Sequence, residues 1–524
     1  MRFSFMALVA LVSSSAAIAD PKPGDSVFAT GFDTPTEREA WPKAGFAEWS
    51  VGHEGTQSLR ITVPPAEAAG GNMLRLPLDL TRFRGCVLSF ECLAKAENVS
   101  KPAASHLGVK FMLHYRSLSA GPFWQNENDV SGTFDWRKLA FTTRIAPDAE
   151  GGELNLGLQG CSGTAWFDAV KVTVLKAPVR RPPPMENPPP VFKGHSLPRL
   201  RGVMSPNEFR EADLRTLGAE WNANLIRWQI TRNWGKAGTD RDLAEYDRWL
   251  DAELDDLDRA LDACHRHGIL AVIDMHSPPG GRYDNSDLAI FHELSYQNHW
   301  IANWEKIARR YRGNPAVWGY DLVNEPVQNS PSPPGVADYL AAQVRAAKAI
   351  RKVDPDTPIL IEAAEWDSAA GFRDLEPVDV PRVIYQIHMY NPGGFTHQGV
   401  HGKTSATTYP GRIEGVEWNK DRIRAALQPV REFQLAYNVH IYAGEFSAIR
   451  WAPGAADYLR DCIGVFEEYG WDWSYHAYRE WDGWSVEHDA NPDNHQPATA
   501  TTDRKRVLTE WFGRNTKPPV PRNR

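Results

Sequence analysis

The chain has 524 residues, a net charge of −8 and a sequence pI of about 6.1. That length exceeds one ordinary core and predicts about two to four domains. The acidic balance, with Lys and Arg scattered rather than clustered, excludes the basic face that a nucleic acid or an anionic membrane would need. With 42% hydrophobic and 24% charged residues the bulk reads as soluble and globular. The 20 Trp and 16 Tyr suit either large cores or rings that stack on sugars.

Residues 1–19 read as an export signal. Arg2 supplies the positive charge, Phe3 to Val12 form a short apolar run, and Ala17-Ile18-Ala19 makes a small-x-small cleavage site before Asp20. The run is too short to span a bilayer, and no later stretch is apolar enough to insert. The mature chain is therefore expected to be secreted or periplasmic. Residues 26–176 carry short runs of alternating apolar and polar residues: SLRITVP, CVLSFECLA, GVKFMLHY, RKLAFTTRI, LNLGLQG and AWFDAVKVTVL. Turn residues separate them, which predicts an antiparallel β-sandwich. Of the five cysteines, Cys86, Cys92 and Cys161 fall here, so one disulfide is open to this region, but no disulfide framework and no CxxC zinc spacing is present. Trp124 and Trp136 are candidate stacking rings that the sequence does not separate from core aromatics.

Residues 177–198, APVRRPPPMENPPPVFKGHSLP, hold eight prolines among 22 positions. Proline fixes φ and removes amide donors, so this segment reads as a stiff, extended linker. From 199 to 515 the pattern changes to strand alternating with helix. The strand-like runs are LRGVM, ANLIRWQI, ILAVIDMH, AVWGYDLVNEP, PILIEAAEW, RVIYQIHMYNP, HIYAGEFSAI and WDWSYHAYREW. Between them, Leu250, Leu254, Leu257 and Leu261 mark one face of a helix, which His265 and His267 close before Gly268. Ser205 and Pro206 read as the cap and first turn of an earlier helix. Eight strands alternating with helices predict a (β/α)8 barrel, an α/β fold preceded by the all-β sandwich. The rival open sheet would favour a glycine-rich phosphate loop after its first strand, and MSPNEF offers none.

Catalytic groups of such a barrel gather at the C-terminal strand ends. There the sequence offers Arg227 and Trp228, Asp274 and His276, Asn324 and Glu325, Glu362 to Trp366, His388 and Tyr390, Glu445, and an aromatic run reaching Trp481 and Trp484. Two carboxyls on opposite sides of the rim suit cleavage of a glycosidic bond. One protonates the leaving oxygen; the other attacks or activates water.

The ordered set IRW (226–228), DMH (274–276), VNEP (323–326), IHMY (387–390) and AGEF (443–446) resembles glycoside hydrolase family 5, within the clan that carries its glutamates on strands four and seven. The resemblance covers about residues 199–515. It implies Glu325 as general acid/base, Glu445 as nucleophile, and Asn324 on the sugar 2-OH. It also implies Arg227 as the cation that keeps the nucleophile ionised, Tyr390 as a donor to Glu445, and His276 and His388 as sugar-binding or acid-tuning groups. The implied activity is retaining hydrolysis of a β-linked poly- or oligosaccharide, with no metal or cofactor; β-glucan and β-mannan are the common substrates of the family. FDTPTEREAW and GTAWFDAVKVTVL similarly resemble the first and last strands of jelly-roll carbohydrate-binding modules.

One departure stands out. The family often places a Trp on strand eight as a sugar platform, and here WSYHAYREWDGW leaves the register open between His476 in its place and Trp481 or Trp484 as the ring. Transglycosylation on the same intermediate and a non-catalytic sugar-binding barrel are the alternatives. Endo or exo mode is undecided, and nothing indicates an oligomer.

Overall fold

A computed structural model describes residues 20–519 apart from 118–120, 401 and 403–405. The export signal read at 1–19 lies outside the described residues. The chain divides into two compact units between Pro178 and Val179. Among the described residues no helix is long and apolar enough to cross a membrane.

The first unit is built from two antiparallel sheets. One runs in the order Ala47–Val51, Gln57–Val63, Gly163–Lys176, Val87–Val99, Gly132–Arg144, with Ser26–Thr30 also paired to Gly163–Lys176. The other runs Gly71–Leu78, Ala149–Gln159, Gly108–Ser117, Gly121–Asn126. Alternation drives this assembly: along 88–96 and 109–115 every second side chain enters a core that includes Phe90, Phe111 and Phe141. The rings of Phe90 and Phe141 stack with centroids 4.6 Å apart. Cys86, Cys92 and Cys161 are buried there outside any disulfide, as are Cys264 and Cys462 in the second unit; the disulfide left open by the sequence is not formed.

The second unit is a closed barrel of eight parallel strands, each bonded to the next and the last to the first. They are β1 (Arg201–Met204), β2 (Leu225–Gln229), β3 (Leu270–Asp274), β4 (Val317–Asp321), β5 (Ile359–Glu362), β6 (Val383–Met389), β7 (Ile441–Phe446) and β8 (Asp472–Tyr475). Burial of both faces explains their near-continuous apolar sequence. The helix Leu243–Arg266 shows the outer layer well. Asp242 caps its first turn through Ala244 and Glu245, Leu250, Leu254, Leu257 and Leu261 are all buried, and Gly268 follows with φ +65°. The helix expected to start at Ser205 starts instead at Glu211. Ser205 is drawn into the barrel: its amide donates to the Arg227 carbonyl and its Oγ accepts from the Gln229 amide. Two bonds to β2 outcompete the cap.

The proline-rich segment from Val179 onward is extended and fastened along the barrel. Arg181 donates to the carbonyl of Pro429 and lies over the Phe433 ring, and the Lys193 carbonyl accepts from the Trp318 indole. His195 and His440 both reach one oxygen of buried Asp472, at 2.7 and 2.6 Å, and the other oxygen accepts from the Leu200 amide. This floor stands at the opposite end of the strands from the chemistry described next.

Candidate active site

The strands deliver their polar ends to one rim around Arg227. Its guanidinium is fully buried and donates to Asp321 (2.7 Å), Glu445 (2.7 Å), Asn324 (3.0 Å) and Glu362 (3.1 Å), with Asp274 at 3.2 Å. Only arginine offers five donors in a planar fork that can meet several carboxylates at once. Burial alone would disfavour the charge, but Asp274, Asp321, Glu445 and Glu362 hold the guanidinium firmly protonated.

Glu445 is set by the pairing of β6 with β7, where a bulge between Ile387 and His388 brings His388 opposite Glu445. Gly444 is needed for that approach, since a Cβ there would lie 2.5 Å from the Gln386 side chain. One oxygen of Glu445 accepts from Arg227 and the other from the Tyr390 hydroxyl at 2.7 Å. Burial works to raise this carboxyl, but His388, His476, Arg227 and His276 together outweigh it and hold Glu445 well below the usual carboxylate range.

Glu325 sits four residues beyond β4 with φ +49°, a left-handed conformation that a non-glycine residue adopts only when its surroundings enforce it. Those surroundings are visible. The Glu325 amide donates to Glu362 at 2.6 Å, and Arg282 holds the carbonyls of Asn324 and Glu325 at 3.2 and 2.9 Å. Its carboxylate meets His388 Nδ1 at 3.1 Å and is more open to solvent than Glu445. A carboxylate oxygen of Glu325 and one of Glu445 lie within 4.8 Å of each other.

When the rings are neutral their tautomers follow from the partners; protonated, the same rings supply the positive charge that favours ionised Glu445. Asn324 accepts from Arg227 through Oδ1, so its amide nitrogen donates to His276 Nε2 at 3.1 Å, and His276 Nδ1 donates to Asp274 at 2.9 Å. His388 Nε2 accepts from Gln386 at 3.1 Å and its Nδ1 donates to Glu325. Donor atoms of Glu325, His388 and Glu445, and likewise of Glu362, Asp367 and His388, stand close enough to hold a cation. His388 already has a hydrogen-bond partner at each ring nitrogen.

Sequence reasoning brought Arg227, His276, Asn324, Glu325, His388, Tyr390 and Glu445 to the rim, and the structure gathers all seven. It placed Glu362 at a strand end without giving it a role, and did not single out Asp321 or Glu480. Burial, then Asp321 and Asp367, push Glu362 well up, yet it anchors the Glu325 backbone. A lone acid in an apolar strand carries no periodic signal, so its position at a strand end was the one sign of it. Trp481 is 41% exposed, edge-on to Trp451 and Trp484. His476 follows β8 directly and contacts Tyr390. Trp366, read from the sequence at the end of strand five without a role, is exposed on the rim with Arg282 4.7 Å beneath its ring. In the first unit Trp124 is exposed, stacks on His114 and borders a cleft of about 750 Å³, whereas Trp136 packs half-buried against His53.

Residues 187–477, more than half of the chain, match the model of the cellulases, glycosyl hydrolase family 5. The chain belongs to this family. Endoglucanase C of Acetivibrio thermocellus is 28% identical over 250 residues, covering 42% of this chain and 71% of that one. A β-xylosidase of Phanerodontia chrysosporium is 30% identical over 203 residues, covering 37% and 39%. Among solved structures, endoglucanase Cel5A of Thermotoga maritima aligns with a TM-score of 0.46 at 21% identity, over 59% of this chain and 96% of that one. This family 5 enzyme is a β-glycoside hydrolase, and the retaining mechanism general to the family applies to it.

Proposed function

We propose that this enzyme hydrolyses the β-linked backbone of a glucan, or oligosaccharides of it, with Glu445 as nucleophile and Glu325 as acid/base. The observation that carries the residue roles is the gap between the two carboxylates. Retaining glycosidases hold theirs about 5–5.5 Å apart, whereas inverting ones need about 6.5–9.5 Å to seat a water. One oxygen of Glu325 and one of Glu445 lie within 4.8 Å of each other, which is compatible with the closer, retaining spacing.

Glu445 is ionised, doubly hydrogen-bonded and shielded, which suits attack on the anomeric carbon. As its oxygen bonds to that carbon, the glycosidic C–O bond breaks and the departing oxygen takes the proton of Glu325. Water then enters, gives its proton to Glu325, and the electron pair of the glycosyl ester returns to Glu445. Asn324, oriented by Arg227 and His276, presents its amide to the sugar 2-OH. His388 steers the Glu325 carboxyl, and Trp481 and Trp366 offer platforms along the rim. The glucan assignment is supported by the name of the endoglucanase relative, and residues 1–19 support export to the medium or periplasm.

The test is product analysis by NMR on β-linked polysaccharides, with Glu445→Ala alongside. The first-formed anomer should be β, and azide should restore part of the Glu445→Ala activity as an α-glycosyl azide. An α-anomer first product, or full activity in Glu445→Ala, would overturn the assignment.

A further inference from the structure

We infer that His476 is a positioning residue: held as an imidazolium between Glu480 and Tyr390, it fixes the direction in which Tyr390 donates to Glu445. This rests on the reading of Glu445 as nucleophile.

The argument is a count of protons. The Tyr390 hydroxyl carries one. It stands 2.7 Å from Oε2 of Glu445, and an ionised carboxylate only accepts, so the proton is spent there. The same hydroxyl oxygen lies 2.8 Å from His476 Nδ1. With its proton committed, the oxygen must accept, and Nδ1 must carry hydrogen. The other ring nitrogen, Nε2, lies 3.1 Å from Oε2 of Glu480, a second acceptor, so it carries hydrogen as well. Both nitrogens are donors and the ring is a cation. Glu480 is itself held by Gln229 at 3.3 Å, whose amide also donates to the Ser205 carbonyl.

The chain of donation thus runs one way, from His476 through Tyr390 to Glu445. A neutral ring would allow the opposite pattern, in which Tyr390 turns its proton to Nδ1 and Glu445 loses a donor. Glu480 selects against that pattern by stabilising the cation. The groups that face His476 are Glu480, Glu445, Glu325 and Tyr390; burial opposes the charge, but Glu480 first and then Glu445 and Glu325 push the imidazole up to about 9. The Trp484 ring packs 5.5 Å from the imidazole, and the His397 ring lies 5.0 Å from that of Tyr390. Directly after β8 this enzyme carries a charged strut. Its mechanistic effect falls on the second half of the reaction: a phenol that accepts from a cation donates more strongly to the carboxylate leaving the sugar.

Two readouts test this on the full-length protein. With ¹⁵N-labelled histidine, one ring among the 16 histidines should show both nitrogens protonated well above pH 7, and that signal should vanish in His476→Gln. Kinetically, His476→Gln should lose about 10- to 100-fold in kcat, the worth of one charge-assisted hydrogen bond, with KM changed far less and the glycosyl-enzyme accumulating in intact-mass spectra. Glu480→Gln, which alters no packing volume, should move the same titration toward neutrality and serves if His476→Gln does not fold. No persistent imidazolium, or a signal unmoved by both variants, would overturn the inference. Glu445→Ala separates the two levels. If it stays active the nucleophile reading fails, whereas its inactivity beside an unaltered His476→Gln defeats only the strut.

Discussion

Removing the charge of Arg227 while keeping its bulk, as in Arg227→Met, should destabilise the barrel in a pH-dependent way. The guanidinium faces Asp274, Asp321, Glu362 and Glu445, all buried, at 2.7 to 3.2 Å. Without it the least costly response is for one of these carboxyls to take up a proton on folding. For a group with a reference pKa near 4, that costs about 1.36 kcal/mol per pH unit, so about 4 kcal/mol at pH 7 and about 1.4 kcal/mol at pH 5. The figure agrees with the roughly 3–5 kcal/mol typical of breaking a buried pair. For a unit of this size it corresponds to a drop of about 5–6 °C in melting temperature at pH 7 and about 2 °C at pH 5. The sign follows from linkage: the variant's folded state binds the extra proton, so its deficit shrinks as pH falls. Calorimetric scans of wild type and variant at the two pH values measure it directly. Arg227→Lys, which keeps the charge but not the fork, should lose less stability than Arg227→Met while still losing activity. Equal deficits at pH 7 and pH 5, or none at either, would refute the idea that this guanidinium neutralises the cluster.

Glu325→Gln should reduce kcat/KM by orders of magnitude on polysaccharide and far less on aryl glycosides whose leaving groups need no proton; equal losses on both would remove Glu325 from the acid role. Asp472 is held well below the usual carboxylate range by His440 and His195 against burial. Its contribution is therefore complete above about pH 4 and lost as pH falls further, so Asp472→Asn should lower the melting temperature at pH 7 more than at pH 3. Gly202→Ala would place a Cβ 1.8 Å from the Leu225 carbonyl oxygen. The parallel pairing of β1 and β2 would have to spread, with a loss of at least about 1–3 kcal/mol, read as a lowered denaturation midpoint.

Much of this enzyme is written in short-range pattern. The barrel strands are apolar runs that end in polar residues, and the leucine spacing of 250–261 announces its helix. The sandwich strands 71–78 and 121–126 were missed because Pro77, Pro122 and short length interrupt the alternation on which strand reading depends. Ser205 misled because a good cap residue is equally a good partner for a neighbouring strand, and topology decided between the two. Arg227, Glu325 and Glu445 were legible because each belongs to a motif. Glu480 was not, and Glu362 was placed at a strand end without a role, since what they do exists only after β5 and the segment beyond β8 have been carried round to face Glu325 and His476. The strut at His476 lies between these cases: the residue was noticed as a departure, but its charge state needed distances to Tyr390 and Glu480.

The barrel floor has a consequence for how this unit can be rebuilt. A single side-chain amide, that of Asn224, donates both to the carbonyl of Arg199, where the barrel begins, and to that of Thr516, where it ends, at 2.9 and 3.0 Å. Entry and exit of the chain are thus held side by side beneath the strands, away from the catalytic rim. A circular permutant that bridges Arg199 and Thr516 with a few residues would conserve the fastening. New ends could then be opened on the catalytic face, among the loops that shape the substrate path, with the scaffold beneath them unchanged.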